Sequence, residues 1–189
     1  NIDPRIASTA PFNMLIYKKL DENKSHVGHI VPQAFLEMIG IEDKNVSDAY
    51  IASIKPLDAK VEAEFRARGM KYTKSYLTYE KLPENRMHTY EYEFEAPEDL
   101  DEFIEEFQNS FELAFIDKGY LIAGYHNFME GLSDAEEILE GYDAFWTYSL
   151  CHLEFSYNVF DNEGARPEAG LFAPCTMYVY IKKGTNKMV

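Results

Sequence analysis

Apolar and polar residues alternate most cleanly between Met87 and Glu95. His88, Tyr90, Tyr92 and Phe94 share one parity, Thr89, Glu91, Glu93 and Glu95 the other, and a two-residue period predicts a half-buried strand. After Pro97 the period changes. Leu100, Phe103, Ile104, Phe107, Phe111, Ala114 and Phe115 recur at three- and four-residue steps, which predicts the longest helix of the chain, opened by Pro97 and ended by Lys118-Gly119. Glu98, Asp99, Asp101 and Glu102 crowd its first turns, where the helix dipole favours negative charge. A strand follows from Tyr120 to Phe128. A short acidic helix or loop spans 132–143 around Leu132, Ile138 and Leu139. A second strand runs from Ala144 to Tyr157 through Phe145, Trp146, Tyr148, Leu150, Leu153 and Phe155. The loop from Asp161 to Pro167 leads to a last strand at Met177–Ile181.

The first half reads differently. Strands at 11–19 and 25–31 flank the turn Asp21-Glu22-Asn23, as in a hairpin. Pro32 opens a short helix with Ala34, Phe35, Met38 and Ile39 on its apolar side, and Gly40 stops it. Helices at 45–54 and 57–67 are expected to be separated by Pro56. A strand is expected at 70–80, and Lys81-Leu82-Pro83-Glu84-Asn85 reads as a turn or linker.

Part of the pattern occurs twice. Residues 10–26 and 173–189, laid without gaps, agree at Ala10/Ala173, Pro11/Pro174, Met14/Met177, Tyr17/Tyr180, Lys19/Lys182, Asn23/Asn186 and Lys24/Lys187. Ordinary residue frequencies give roughly one match in such a window. The expected organisation is therefore a duplication: 1–80 as the C-terminal part of a first repeat, 85–189 as the N-terminal and central part of a second. Joined, the two halves give β-α-β-β-β-β-α, an α+β arrangement with helices on one face of a mostly antiparallel sheet. On this reading the chain starts late in one repeat and stops before the end of the next.

Composition narrows the function classes. The net charge of −15 opposes binding to nucleic acid or an anionic membrane surface, where Lys and Arg must neutralise phosphates. No run of 18 apolar residues exists, so no membrane span is expected, and Asn1-Ile2-Asp3-Pro4 is not a basic-then-apolar leader. The expected setting is periplasmic or otherwise extracytoplasmic, with a cytoplasmic one as the alternative.

Lys118-Gly119, Cys151, Gly170-Leu171-Phe172-Ala173-Pro174-Cys175 and Val179-Tyr180, in that order, resemble the bacterial domain-of-unknown-function family numbered 302. The resemblance covers about 85–189 directly and 10–40 through the duplication. It implies an α+β fold similar to the TATA-binding-protein-like class, and no settled activity. Where that family often follows its first Cys with Asn-Pro, this chain has His152-Leu153, and the first repeat has Phe12 where the second has Cys175.

No G-x-S-x-G, phosphate-binding glycine loop or H-E-x-x-H is present. The acidic pairs Glu105/Glu106 and Glu136/Glu137 read as solvated helix faces. Cys151 and Cys175, the two cysteines of the chain, are open to three readings: inert buried thiols, a disulfide, or a reactive or ligand-binding pair. His26 and His29, three apart on a strand, face opposite sides unless Gly28 marks a bulge, which disfavours a shared metal. His88 and His126 read as core histidines. The 14 Tyr and 13 Phe allow an aromatic-lined pocket between sheet and helix, suited to a small apolar or planar ligand. The expectation is a non-catalytic small-ligand-binding or protein-interaction module, with candidate ligand residues Cys151, Cys175, Tyr178, Tyr180, His152 and Trp146. The alternatives are a thiol-based redox or sulfur-handling protein using Cys151 and Cys175, and a haem or metal binder through histidines. Self-association through an open sheet edge is also expected, because an incomplete repeat leaves one.

Overall fold

The computed structural model describes residues 3–10, 12–76, 78, 81–131, 134–160 and 166–189, with Glu136 by its backbone alone. Expectations resting on Pro11, Leu132, the Asp161–Ala165 part of the loop, or Leu77, Tyr79 and Glu80 lie outside them. In chain order the elements are a first 3₁₀ turn (Pro4–Thr9), β1 (Leu15–Tyr17), β2 (His26–Gly28), α1 (Pro32–Met38), α2 (Lys44–Ala67), β3 (Tyr92–Glu93), α3 (Leu100–Ile116), β4 (Tyr120–Asn127), α4 (Phe128–Gly131), α5 (Ala135–Ile138), β5 (Tyr142–His152), α6 (Leu153–Phe160), a second 3₁₀ turn (Pro167–Phe172), β6 (Cys175–Lys182) and β7 (Lys187–Met188). The fold is α+β. The chain divides into two compact units: the segment up to His29 with Thr89–Val189, and Ile30–His88.

The Ile30–His88 unit is a pair of helices. Pro32 occupies the first turn of α1, where its missing N–H costs nothing. Gly40 (φ 72°) closes α1, with Ile41 N–H donating to the Leu36 carbonyl and Gly40 N–H to that of Glu37. α2 corrects the expected break at Pro56, because one helix runs through it. The proline withdraws the N–H that the Ala52 carbonyl would accept, and its ring crowds that carbonyl. Asp43 caps the N-terminus by accepting from the Asn45 and Val46 N–H groups, and the helix continues despite a cost of about 3 kcal/mol. α2 is thus the longest helix, at 24 residues against 17 for α3. No described residue of 70–80 is in a strand.

In the other unit a five-stranded antiparallel sheet has the order β3-β7-β6-β5-β4. α3 packs across one face. Phe103, Ile104, Phe107, Phe111 and Phe115 meet Trp146, Tyr148, Val179 and Ile181 of the sheet. Ile181 and Tyr148 are fully buried; taking an isoleucine side chain out of water contributes roughly 1.5–3 kcal/mol. The opposite face is covered as well, which corrects the one-sided helix layer. Ala7 of the first 3₁₀ turn, with Leu139, Phe128 and Met129, packs on Phe145, Tyr178 and Tyr180.

Element lengths differ from the sequence pattern in three places. Of the strand expected at Met87–Glu95 only Tyr92–Glu93 pairs, because its partner β7 is two residues long. α3 begins at Leu100, not at Pro97, because the Asp99 carboxylate accepts from the Asp101 and Glu102 N–H groups at 2.9 and 3.1 Å. β5 ends at His152, where the ring Nδ1 accepts the Phe155 N–H at 3.2 Å and starts α6. The alternation continuing through Leu153, Phe155 and Tyr157 belongs to a helix that exposes all three.

The offset of 163 that aligns residues 10–26 with 173–189 also carries the first 3₁₀ turn onto the second, Pro4–Thr9 onto Pro167–Phe172. Each turn starts on proline and ends with an alanine N–H donating three residues back, Ala10 to Ala7 and Ala173 to Gly170. The hairpins share a register too. Tyr17 pairs with His26, and at the same offset Tyr180 and Val189 exchange both N–H···O bonds at 3.0 Å. The contacts are reciprocal. The first turn buries Ala7 against Tyr178 and Tyr180. The second sets Gly170 against Leu15, the counterpart of Tyr178, and Glu168 accepts from the hydroxyl of Tyr17, the counterpart of Tyr180, at 3.1 Å.

Candidate functional site

The residues picked from sequence are not gathered in one place. Residues directly opposite in an antiparallel pair share a face. Cys175 pairs with Leu150 and lies on the α3 face, whereas Cys151 pairs with Leu121 and lies on the other. Both are free thiols, Cys151 near Ser156 Oγ (3.6 Å) and Cys175 donating to the Phe172 carbonyl (3.8 Å). A disulfide or a shared thiol site is excluded by that register. Tyr178 and Tyr180 stack at 6.1 Å under the first 3₁₀ turn, and burial raises both phenol pKa values. Trp146 lies on the α3 side, edge-on to Phe107 at 6.5 Å, 1% exposed, and its indole N–H meets no acceptor among the described residues. His152 pairs with Tyr120 and packs edge-on to its ring at 5.0 Å.

The histidines are separate as well. His26 lies flat on Tyr17 at 4.5 Å, with Nε2 2.7 Å from Glu22, and His29 meets Phe12 at 5.2 Å. His88, expected on an apolar strand face, is exposed outside any strand, and His126, expected in the core, is exposed beside Phe128. Among the described residues no group of three or more His, Cys, Asp or Glu could hold a metal ion, and no helix is long and apolar enough to cross a membrane.

What the geometry does assemble is an aromatic cleft between α3 and β3. It is a groove of about 350 Å³, open to solvent, lined by Tyr92, Phe103, Phe107, Glu106 and Ser110. Phe94 stacks on Phe103 at 4.5 Å and on Tyr92 at 6.3 Å, so three near-parallel rings run from the core to the surface. Tyr92, the outermost, is 54% exposed. Glu106 and Ser110 form the polar rim, one turn apart on α3.

Each wall is held in place. Tyr92 sits between Glu91 and Glu93, and Lys187 of β7 reaches both carboxylates, at 2.8 and 2.9 Å. That contact lowers the Glu93 pKa and raises that of Lys187. On the far flank of α3 two polar clasps set the helix on the sheet. Gln108 Nε2 donates to the Tyr125 hydroxyl and the Tyr148 hydroxyl to Glu112, both at 3.0 Å. Burial, then the neighbouring Glu112 carboxylate, push the Tyr148 phenol far above the ordinary tyrosine range.

The Ile30–His88 unit has a cleft of its own, about 410 Å³, lined by Leu36, Ile41, Ile51 and Arg86 among others. Its one cationic side chain is committed to the fold, since the Arg86 guanidinium donates to the Glu37 carbonyl in the last turn of α1. The sequence pattern puts Phe103 and Phe107 in the buried stripe and Glu106 on a solvated face. The signal for a cleft was the boundary between those two sets, facing Tyr92 on the strand before them. Comparison with known protein families, curated proteins and solved structures finds no match for this chain.

Proposed function

We propose that the protein is a non-catalytic binding module that takes a small, planar, uncharged or cationic ligand in the cleft between α3 and β3. The observation that supports this most is the open end of the stacked series Tyr92–Phe94–Phe103, where an exposed ring faces a cleft large enough for a small molecule. A flat ligand lying against Tyr92 extends that stack, and ring pairs of this kind contribute roughly 0.5–1.5 kcal/mol beyond area burial. Glu106 on the rim, with Asp101, Glu102 and Glu105 on the same helix, disfavours anions. The resemblance to the domain-of-unknown-function family, read from Gly170–Cys175 and its companions, is compatible with a binding role and names no substrate.

The test uses N-phenyl-1-naphthylamine, an uncharged planar fluorophore, against anilinonaphthalene sulfonate, its anionic relative. The expected result is saturable binding of the first, with quenching of Trp146, weakened at least five-fold by Tyr92→Ala and by Phe103→Ala. The sulfonate binds less well at low salt and recovers in Glu106→Gln. Equal binding of both dyes, or no effect of either wall substitution, overturns the reading.

A further inference from the structure

The groove between α3 and β3 carries one sign of charge. Both of its walls come from a single segment, Thr89–Asp117, which holds eleven Asp and Glu and no Lys, Arg or His. The lining itself is three aromatic rings, one hydroxyl and one carboxylate. That carboxylate, Glu106, is exposed and has no cationic partner among the described residues; its helix neighbour one turn back is Glu102, a like charge. Lys187, on the strand paired with Tyr92, is held between Glu91 and Glu93 at 2.8 and 2.9 Å.

The rings and the carboxylate act in the same sense. The face of an aromatic ring carries the negative lobe of its quadrupole, so Tyr92, 54% exposed, attracts a cation laid against it. Glu106 adds its charge at the rim. A neutral planar molecule uses the rings alone, and an anion is repelled by both. We infer that the groove selects organic cations of one kind: a flat aromatic ring bearing a quaternary nitrogen, the ring against Tyr92 and the nitrogen toward Glu106. This rests on the planar-ligand reading of the groove and narrows it to one class. A primary ammonium fits less well, because it brings three N–H donors to a lining whose polar side chains are Glu106 and Ser110. A quaternary nitrogen has no donor to satisfy.

The test follows the amide shifts of the isotope-labelled full chain during titration with N-methylquinolinium and with 4-methylquinoline, an uncharged compound of equal size at pH 8. At low salt the cation is expected to bind roughly ten-fold more tightly, with shifts centred on Phe103, Glu106 and Ser110. Glu106→Gln weakens the cation about three-fold. Tyr92→Leu, which keeps an apolar side chain without a ring face, also narrows the ratio between the two compounds. Glu64→Gln removes the same charge from an exposed position on α2 and leaves both affinities unchanged. Equal affinity for the two compounds overturns the inference and leaves the planar-ligand reading standing; no saturable binding of either overturns both. A ratio that Glu64→Gln lowers as much as Glu106→Gln also overturns the inference, since the cation is then held by the net charge of the chain.

Discussion

Removing the Tyr148 hydroxyl tests how α3 is held on the sheet. In Tyr148→Phe the ring keeps its shape in a fully buried site, so no cavity opens, and the change is confined to the hydrogen bond to Glu112. A hydrogen bond to a charged acceptor contributes about 1.5–3 kcal/mol. Glu112 is only half-buried and takes up water once the hydroxyl is gone, so the expected loss is about 1–2 kcal/mol. That corresponds to roughly a five- to thirty-fold fall in the folded-to-unfolded ratio. Urea unfolding followed by Trp146 fluorescence measures it, because the single tryptophan is buried in this unit. Alkaline pH supplies a second readout. The folded phenol pKa is raised, so its contribution is complete below the unfolded value of about 10 and declines as pH rises beyond it, while the unfolded chain loses the proton first. The gap between wild type and Tyr148→Phe therefore narrows above pH of about 10. Equal stability of the two proteins at neutral pH, or a gap that widens in alkali, refutes the reasoning.

Three further outcomes are expected. Gly170→Val destabilises by about 1–3 kcal/mol in the same assay, since even a Cβ there meets Leu15 Cδ1 at 2.7 Å; Gly170→Ala costs less because the end of the leucine can turn aside. Dye binding in the α3–β3 cleft weakens in acid: Glu93 has a lowered pKa, so its tie to Lys187 is intact above the ordinary carboxylate value and is lost as pH falls through the lower folded value, releasing the Tyr92 strand. A titration from pH 7 to 3 shows this, and Lys187→Met abolishes the pH step. The denatured mass of protein purified without reductant equals that of the reduced chain, because Cys151 and Cys175 face opposite sides of the sheet.

The periodic elements were legible because one physical requirement dominates each. The α3 stripe, β4 and the core of β5 are all set by burial on the α3 face. Boundaries were less so, since they depend on single polar contacts that periodicity does not carry: Asp99 capping α3, and His152 Nδ1 ending β5. Pro56 failed to break α2 because local propensity is a weak term beside two well-formed flanking segments. The 163-residue match was visible as identities, but its structural meaning lay in Pro4/Pro167 and in unlike residues, Ala7 with Gly170 and Leu15 with Tyr178, which no identity count registers. The candidate ligand set was scattered for a related reason. Strand parity separates Cys151 from Cys175, and it could be read only once the β5–β6 register was known.

The most direct test of the binding cleft is an isotope-filtered NOE experiment on uniformly labelled protein with unlabelled N-phenyl-1-naphthylamine. The account predicts contacts from the naphthalene ring to the rings of Tyr92, Phe103 and Phe107, the aromatic walls of the α3–β3 cleft. Contacts confined to Ile16 and Val27, or to the cleft between α1 and α2, contradict it.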